Sequence, residues 1–127
     1  MKRSQELIRF SREHHPALVL ARRVKLNAPG GGVFKRLAGE FPAKWKKEIA
    51  PHFAEEERSI LPRLVAAGAT ELAERLQRDH AELRRLSTQA MGGDAAALKE
   101  FGKLIYDHIR FEERVLFPYY EKLTGLF

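Results

Sequence analysis

Residues 52–62, "HFAEEERSILP", and residues 108–118, "HIRFEERVLFP", carry His, Glu, Glu, Arg and Pro at the same offsets while the remaining positions differ. In each copy a glutamate follows the histidine by four residues. An α-helix advances about 100° per residue, so His52 and Glu56 point from one face, as do His108 and Glu112. An imidazole nitrogen serves one cation, whereas a carboxylate has two oxygens and can span two. The doubled pattern therefore suits a pair of metal ions, with histidines as terminal ligands and Glu56 and Glu112 as bridges.

Two further histidines fall on apolar faces. His80 is in register with Leu76 and Leu83, and His14 lies between Phe10, Leu18 and Ala21. His15 is the alternative ligand on its helix, about 100° toward the edge of the same face. One His–Glu pair alone would be an ordinary intrahelical contact worth a few tenths of a kcal/mol. Two buried carboxylates converging in one core would repel and cost several kcal/mol unless something positive sits between them. The candidate ligand set is His14, His52, Glu56, His80, His108 and Glu112. Glu55, Glu57 and Glu113 project to the sides of their helices and are expected at the surface. Val115 and Tyr119 continue the inward face after Glu112, with Tyr119 as core aromatic or with its hydroxyl near the site, and Trp45 reads as core packing.

Four helices must position these groups. Apolar spacing predicts a first helix over about Ser4–Leu26, ended by "NAPGGG". A short helical piece, "VFKRLAGEF", precedes a second long helix that starts near Pro42 and reaches about Ala67, with a kink at Pro51. The third runs from about Thr70, read as its N-cap, to Met91. The fourth runs from Ala95, capped by Asp94, to Leu123. Pro62 and Pro118 are expected to bend or loosen their helix ends. No segment alternates like a strand. The expected fold is an all-α, up-down-up-down four-helix bundle forming one domain over residues 1–127.

Composition narrows the chemistry. The absence of cysteine excludes thiolate catalysis, disulfides and Cys-based zinc or iron–sulfur sites, leaving nitrogen and oxygen ligands for any metal. The spacing is not the Glu-x-x-His of ferritin-like carboxylate sites, and no H-E-x-x-H motif is present. The charged N-terminus lacks a signal-peptide apolar core, and no window reaches the ~18 apolar residues of a membrane span. A cytoplasmic protein with no membrane partner is expected. The net charge of +6 permits an acidic partner, but basic and acidic residues interleave and no nucleic-acid-binding motif appears.

At these residues the chain resembles the hemerythrin-like, or HHE cation-binding, family over nearly its whole length. The family pattern is a His on helix one, His-x-x-x-Glu on helix two, a His on helix three and His-x-x-x-Glu on helix four. It falls on His14, on His52 with Glu56, on His80, and on His108 with Glu112. The resemblance implies a non-heme di-iron centre with an oxo or hydroxo bridge; the ligand types also admit manganese or zinc. Oxygen-carrying hemerythrins have a second His on helix three, where this chain has Leu76 and Arg84, so bulk oxygen transport is not expected. The resemblance instead implies reaction with, or sensing of, O2, peroxide or NO, or iron sensing. Whether the protein turns over a substrate is open, as is any protein partner. A different class of function is a basic interaction module whose metal is structural.

Overall fold

The computed structural model describes residues 4–125, and within them the chain is helical without strands. Four rods make an up-down-up-down bundle. The first is α1 (Gln5–Leu26). The second is continuous from α2 (Gly32–Lys44) through a π-helical turn, π1 (Trp45–Ile49), into α3 (Ala50–Ala66). The third is α4 (Thr70–Met91). The fourth joins α5 (Ala95–Phe111), π2 (Glu112–Leu116) and α6 (Phe117–Leu123). Helix α5 packs between α1 and α4, α3 lies against α4, and α2 covers α1. Among the described residues no helix is long and apolar enough to cross a membrane.

Local chemistry sets the ends. The Ser4 hydroxyl accepts from the Leu7 N–H at 3.3 Å, and Asp94 accepts from Ala97 N–H at 3.0 Å, as expected of N-caps. Helices α3 and α4 both close on a glycine at positive φ, Gly68 (75°) and Gly93 (100°). In each case the following residue's N–H returns to a carbonyl five residues back, Ala69 to Leu64 and Asp94 to Gln89. That bond moves the cap expected at Thr70. Ala69 is the N-cap, Thr70 is already helical, and the Thr70 hydroxyl turns back to the Gly68 carbonyl.

The prolines behave differently from expectation. Pro42 does not start a helix but sits inside α2, so "VFKRLAGEF" and the following helix are one rod. A mid-helix proline costs about 3 kcal/mol. The stripe that continues past it, Phe34, Leu37, Phe41 and Trp45, is buried at 8% exposure or less, and each such side chain returns about 1.5–3 kcal/mol. At Pro51 the predicted disturbance takes the form of π1, where the Ala50 N–H reaches the Trp45 carbonyl five residues back. Pro51 then falls in the first turn of α3, where its missing N–H is least needed. The same device recurs at π2, with Phe117 N–H bonded to Glu112 O and Pro118 in the first turn of α6. Pro62, by contrast, lies within α3, which continues to Ala66, so the two prolines of the sequence repeat have unlike settings.

The core is divided. One apolar cluster includes Leu20, Phe34, Phe41, Phe53, Leu83, Phe101 and Ile105; the other includes Leu7, Phe10, Ile60, Leu64, Leu76, Phe117 and Tyr120. Along every rod the positions between the two clusters are His14, His52 with Glu56, His80, and His108 with Glu112. A polar layer thus crosses the bundle between two hydrophobic ends. Gly102 lets α5 approach α1 beside this core, since a Cβ there would lie 3.1 Å from the Val24 Cγ1.

Candidate metal centre

The six candidate residues meet in this layer. Glu56, Glu112 and His80 have no exposed surface, and His108, His14 and His52 are 1%, 4% and 7% exposed. Their ligand-type atoms form two groups, His14–His52–Glu56–Glu112 and His80–His108–Glu56–Glu112, each with all atoms within 4.8 Å of one another. Both carboxylates belong to both groups. Glu112 faces His14 Nε2 at 2.8 Å with Oε1 and His108 Nε2 at 3.2 Å with Oε2. Oε1 of Glu56 faces His80 Nε2 at 3.2 Å and His52 Nε2 at 3.5 Å. His15 is exposed on the outside of α1, which settles the choice of inward histidine in favour of His14.

The layer is electrostatically uncomfortable by itself. Nε2 of His52, His80 and His108, both oxygens of Glu56 and Oε2 of Glu112 are buried without a hydrogen-bond partner. Such atoms cost on the order of 1–3 kcal/mol each. Burial, with the Glu112 charge beside it, pushes the Glu56 carboxyl well above the usual carboxylate range. Burial acts the same way on Glu112, but His108, Glu56 and His14 hold it well below that range. Burial lowers His52 and His80. His108 is pushed up to about 9: burial opposes, but Glu112 and Asp79 prevail. His14 also rises against burial, through Glu112 and Glu113. Orphaned lone pairs converging from nitrogen and oxygen ligands are what a cation would satisfy.

A second ring of carboxylates holds the histidines. The Nδ1 of His14 meets Glu113 Oε2 at 2.8 Å, His52 meets Glu13 Oε1 at 2.8 Å, His80 meets Glu57 Oε2 at 2.7 Å, and His108 meets Asp79 Oδ2 at 2.8 Å. With Nδ1 facing outward to its carboxylate, each Nε2 points into the layer and the ring plane is fixed; those of His52, His80 and His108 have no hydrogen-bond partner, while that of His14 meets Glu112 Oε1. Glu57 and Glu113 are therefore not the free surface residues expected from helical projection. They sit at the rim, 28% and 32% exposed, between solvent and an imidazole. The hydrogen bond from His80, with Arg84 alongside and against some burial, holds Glu57 down to about 2. The signals were in the sequence: an acid directly precedes His14 and His80, and a second Glu follows Glu56 and Glu112.

Aromatic rings close the layer. Phe53 stacks on His80 with centroids 4.0 Å apart, Phe117 stacks on His14 at 5.7 Å, and Phe10 meets His52 edge-on at 5.4 Å. Trp45 is core, touching Phe41, Phe53 and Phe101. Leu76 belongs to the second apolar cluster, and Arg84 faces Glu57. The expectation for Val115 and Tyr119 fails: they are 49% and 37% exposed, and Leu116, Phe117 and Tyr120 point inward instead. The extra residue in π2 rotates everything after Glu112 by about one position, which a uniform 100° projection cannot anticipate.

A model of the hemerythrin HHE cation-binding domain matches residues 7–120. No curated protein matches the chain, and no solved structure does. The matched span runs from the first buried leucine of α1 to Tyr120 and takes in every residue of the polar layer. The chain belongs to the hemerythrin HHE cation-binding domain family.

Proposed function

We propose that the polar layer holds two iron ions, one by His14 and His52, the other by His80 and His108, with Glu56 and Glu112 bridging both. The observation that carries this reading is the pair of four-residue groups sharing both carboxylates, with six of their eight inward nitrogen and oxygen atoms lacking a hydrogen-bond partner. One ion would leave two imidazoles orphaned. Two satisfy all four. Six protein ligands leave each ion with positions for water or a small exogenous ligand, which suits reaction with or sensing of O2, peroxide or NO, or iron sensing. Metal analysis of the purified protein, with its near-ultraviolet spectrum, tests this reading. Two irons per chain with oxo-bridge bands are expected. One ion per chain, or none after reconstitution, defeats it.

A second reading has its own observation. Residues 17–50 contain eight Lys or Arg against two Asp or Glu, so the excess positive charge gathers on the C-terminal half of α1, α2 and π1. A basic docking module stabilised by a structural metal would use that surface. Turnover separates the readings. A reactive centre consumes peroxide or NO and loses this with Glu56→Ala, while a structural metal gives only a fall in thermal stability on chelation.

A further inference from the structure

A cleft runs from the surface of the bundle to the polar layer, and its two ends differ in chemistry. At the inner end it is lined by His14, His52, His108 and Glu112, and the Nε2 atoms of His52 and His108 are buried there without a hydrogen-bond partner. Ala17, Ile49, Ile105 and Ile109 form apolar walls. Two carboxylates mark the outer end, Glu13 and Glu48, whose side chains are 40% and 47% exposed. The passage has room for about one water-sized molecule, so whatever reaches the imidazoles by it arrives with most of its solvent removed.

Shedding water is costly for a divalent cation, and the charge around the cleft adds to that cost. The chain carries a net charge of +6, and residues 17–50 hold eight Lys or Arg against two acids, Glu40 and Glu48. Lys46 and Lys47 immediately precede Glu48 in π1. Of the two acids, Glu48 lines the cleft and Glu40 does not. Glu48 pairs with Lys44 at 3.5 Å, an i,i+4 surface contact of little strength, and with no residue of the layer. A dication, with twice the charge of the ammonium, can displace that lysine. Glu13 stands next along the route, its Oε1 at 2.8 Å from Nδ1 of His52.

Resting on the reading of the layer as a two-ion centre, we infer that this cleft is the entrance for the metal ions and that Glu48 is its receiving carboxylate. Glu48 draws a partly hydrated divalent cation out of the field of the basic surface and passes it toward Glu13 and His52. Glu48 belongs to neither four-residue ligand group, so it takes no part in the final coordination. Its effect is on rate. A carboxylate at the mouth lowers the barrier to entry and exit alike, and the affinity of the loaded centre is indifferent to it.

The test mixes metal-free protein with Co2+ at low ionic strength and follows the visible absorption of the bound ion by stopped flow, with equilibrium stoichiometry and affinity measured beside it. Glu48→Gln should slow uptake and release alike by about tenfold, leaving affinity and stoichiometry unchanged, and the difference from wild type should shrink in high salt. Lys44→Gln, which frees Glu48 of its partner, should speed uptake. Glu40→Gln removes the same charge from the same rod away from the cleft and should leave the rate as in wild type. A rate indifferent to both Glu48 and Lys44, an equal slowing by Glu40→Gln, or a loss of affinity in Glu48→Gln overturns the entrance. Uptake of one equivalent at a rate that still depends on Glu48 defeats the two-ion reading and leaves the entrance standing. No uptake by the wild type defeats both.

Discussion

The Nδ1 of His108 lies 2.8 Å from Oδ2 of Asp79, the residue immediately before His80 on the neighbouring helix. One dipeptide of α4 thus supplies an inward imidazole and the carboxylate that aims another. Glu13 and His14 do the same on α1, with Glu13 aiming His52. The bundle interlocks its four inward histidines through acids borne on different helices, so no helix can turn without disturbing an imidazole on a neighbour.

Asp79→Asn keeps the size of the side chain but removes the charge that fixes the His108 tautomer. Metal affinity should fall about 10–100-fold with helix content unchanged. Competition with a chelator of known affinity measures it, and an unchanged affinity would show that Asp79 serves only packing.

Glu56→Leu should separate stability from binding. Both Glu56 oxygens are buried without a hydrogen-bond partner, and replacing such a group by an apolar one of similar volume removes a desolvation penalty of about 1–3 kcal/mol. Metal-free Glu56→Leu should therefore resist urea at least as well as metal-free wild type, yet take up no ion pair. A clear loss of metal-free stability would mean that Glu56 has a structural partner.

Tyr120 gives a pH signature away from the layer. Its hydroxyl donates to Glu6 Oε1 at 2.7 Å and accepts from Arg63 at 2.6 Å. Burial, then Glu6, raises the phenol from its ordinary value of 10 to about 12. The native state thus holds the proton more tightly than the unfolded chain. The stabilisation is fully present below pH 10 and disappears as pH rises to 12, at most on the order of 2 kcal/mol. Unfolding curves across this window should lose that component in Tyr120→Phe, which should also cost about 1 kcal/mol at pH 8.

The π2 turn predicts an asymmetry between deletions. Removing the exposed Val115 takes out the surplus residue, so α5 can run into α6 as ordinary helix with Leu116, Phe117 and Tyr120 still inward. Stability should stay within about 1 kcal/mol of wild type. Removing the exposed Arg110, within regular α5, rotates Phe111 and Glu112 out of the core by about 100° and should cost more than about 3 kcal/mol. Equal losses in the two would contradict the surplus-residue reading.

How much of this was legible from residues alone varies with the range of the interaction. Helix existence, the bundle, and the inward set His14, His52, Glu56, His80, His108 and Glu112 follow from a period near 3.6 residues, which each segment carries within itself. Register failed where the period changed. Nothing in "EERVLFPYY" announces a five-residue turn, because the turn is selected by packing Leu116 and Phe117 into the second apolar cluster against the competing claim of Val115. Pro42 sits mid-helix for a related reason, since a stripe of buried apolar side chains outweighs one lost hydrogen bond.

The outer carboxylates mark the boundary most clearly. The sequence by itself determined that histidines and glutamates would share the core faces of four helices, because side-chain direction along a helix is a local property. It also placed an acid beside His14 and His80 and a second glutamate after Glu56 and Glu112. Only the tertiary structure decided which acid aims which imidazole: Glu113 to His14, Glu13 to His52, Glu57 to His80, Asp79 to His108. Every one of these hydrogen bonds crosses between helices, and a contact of 2.7–2.8 Å depends on how two helices are set against each other, which no periodicity within either helix encodes.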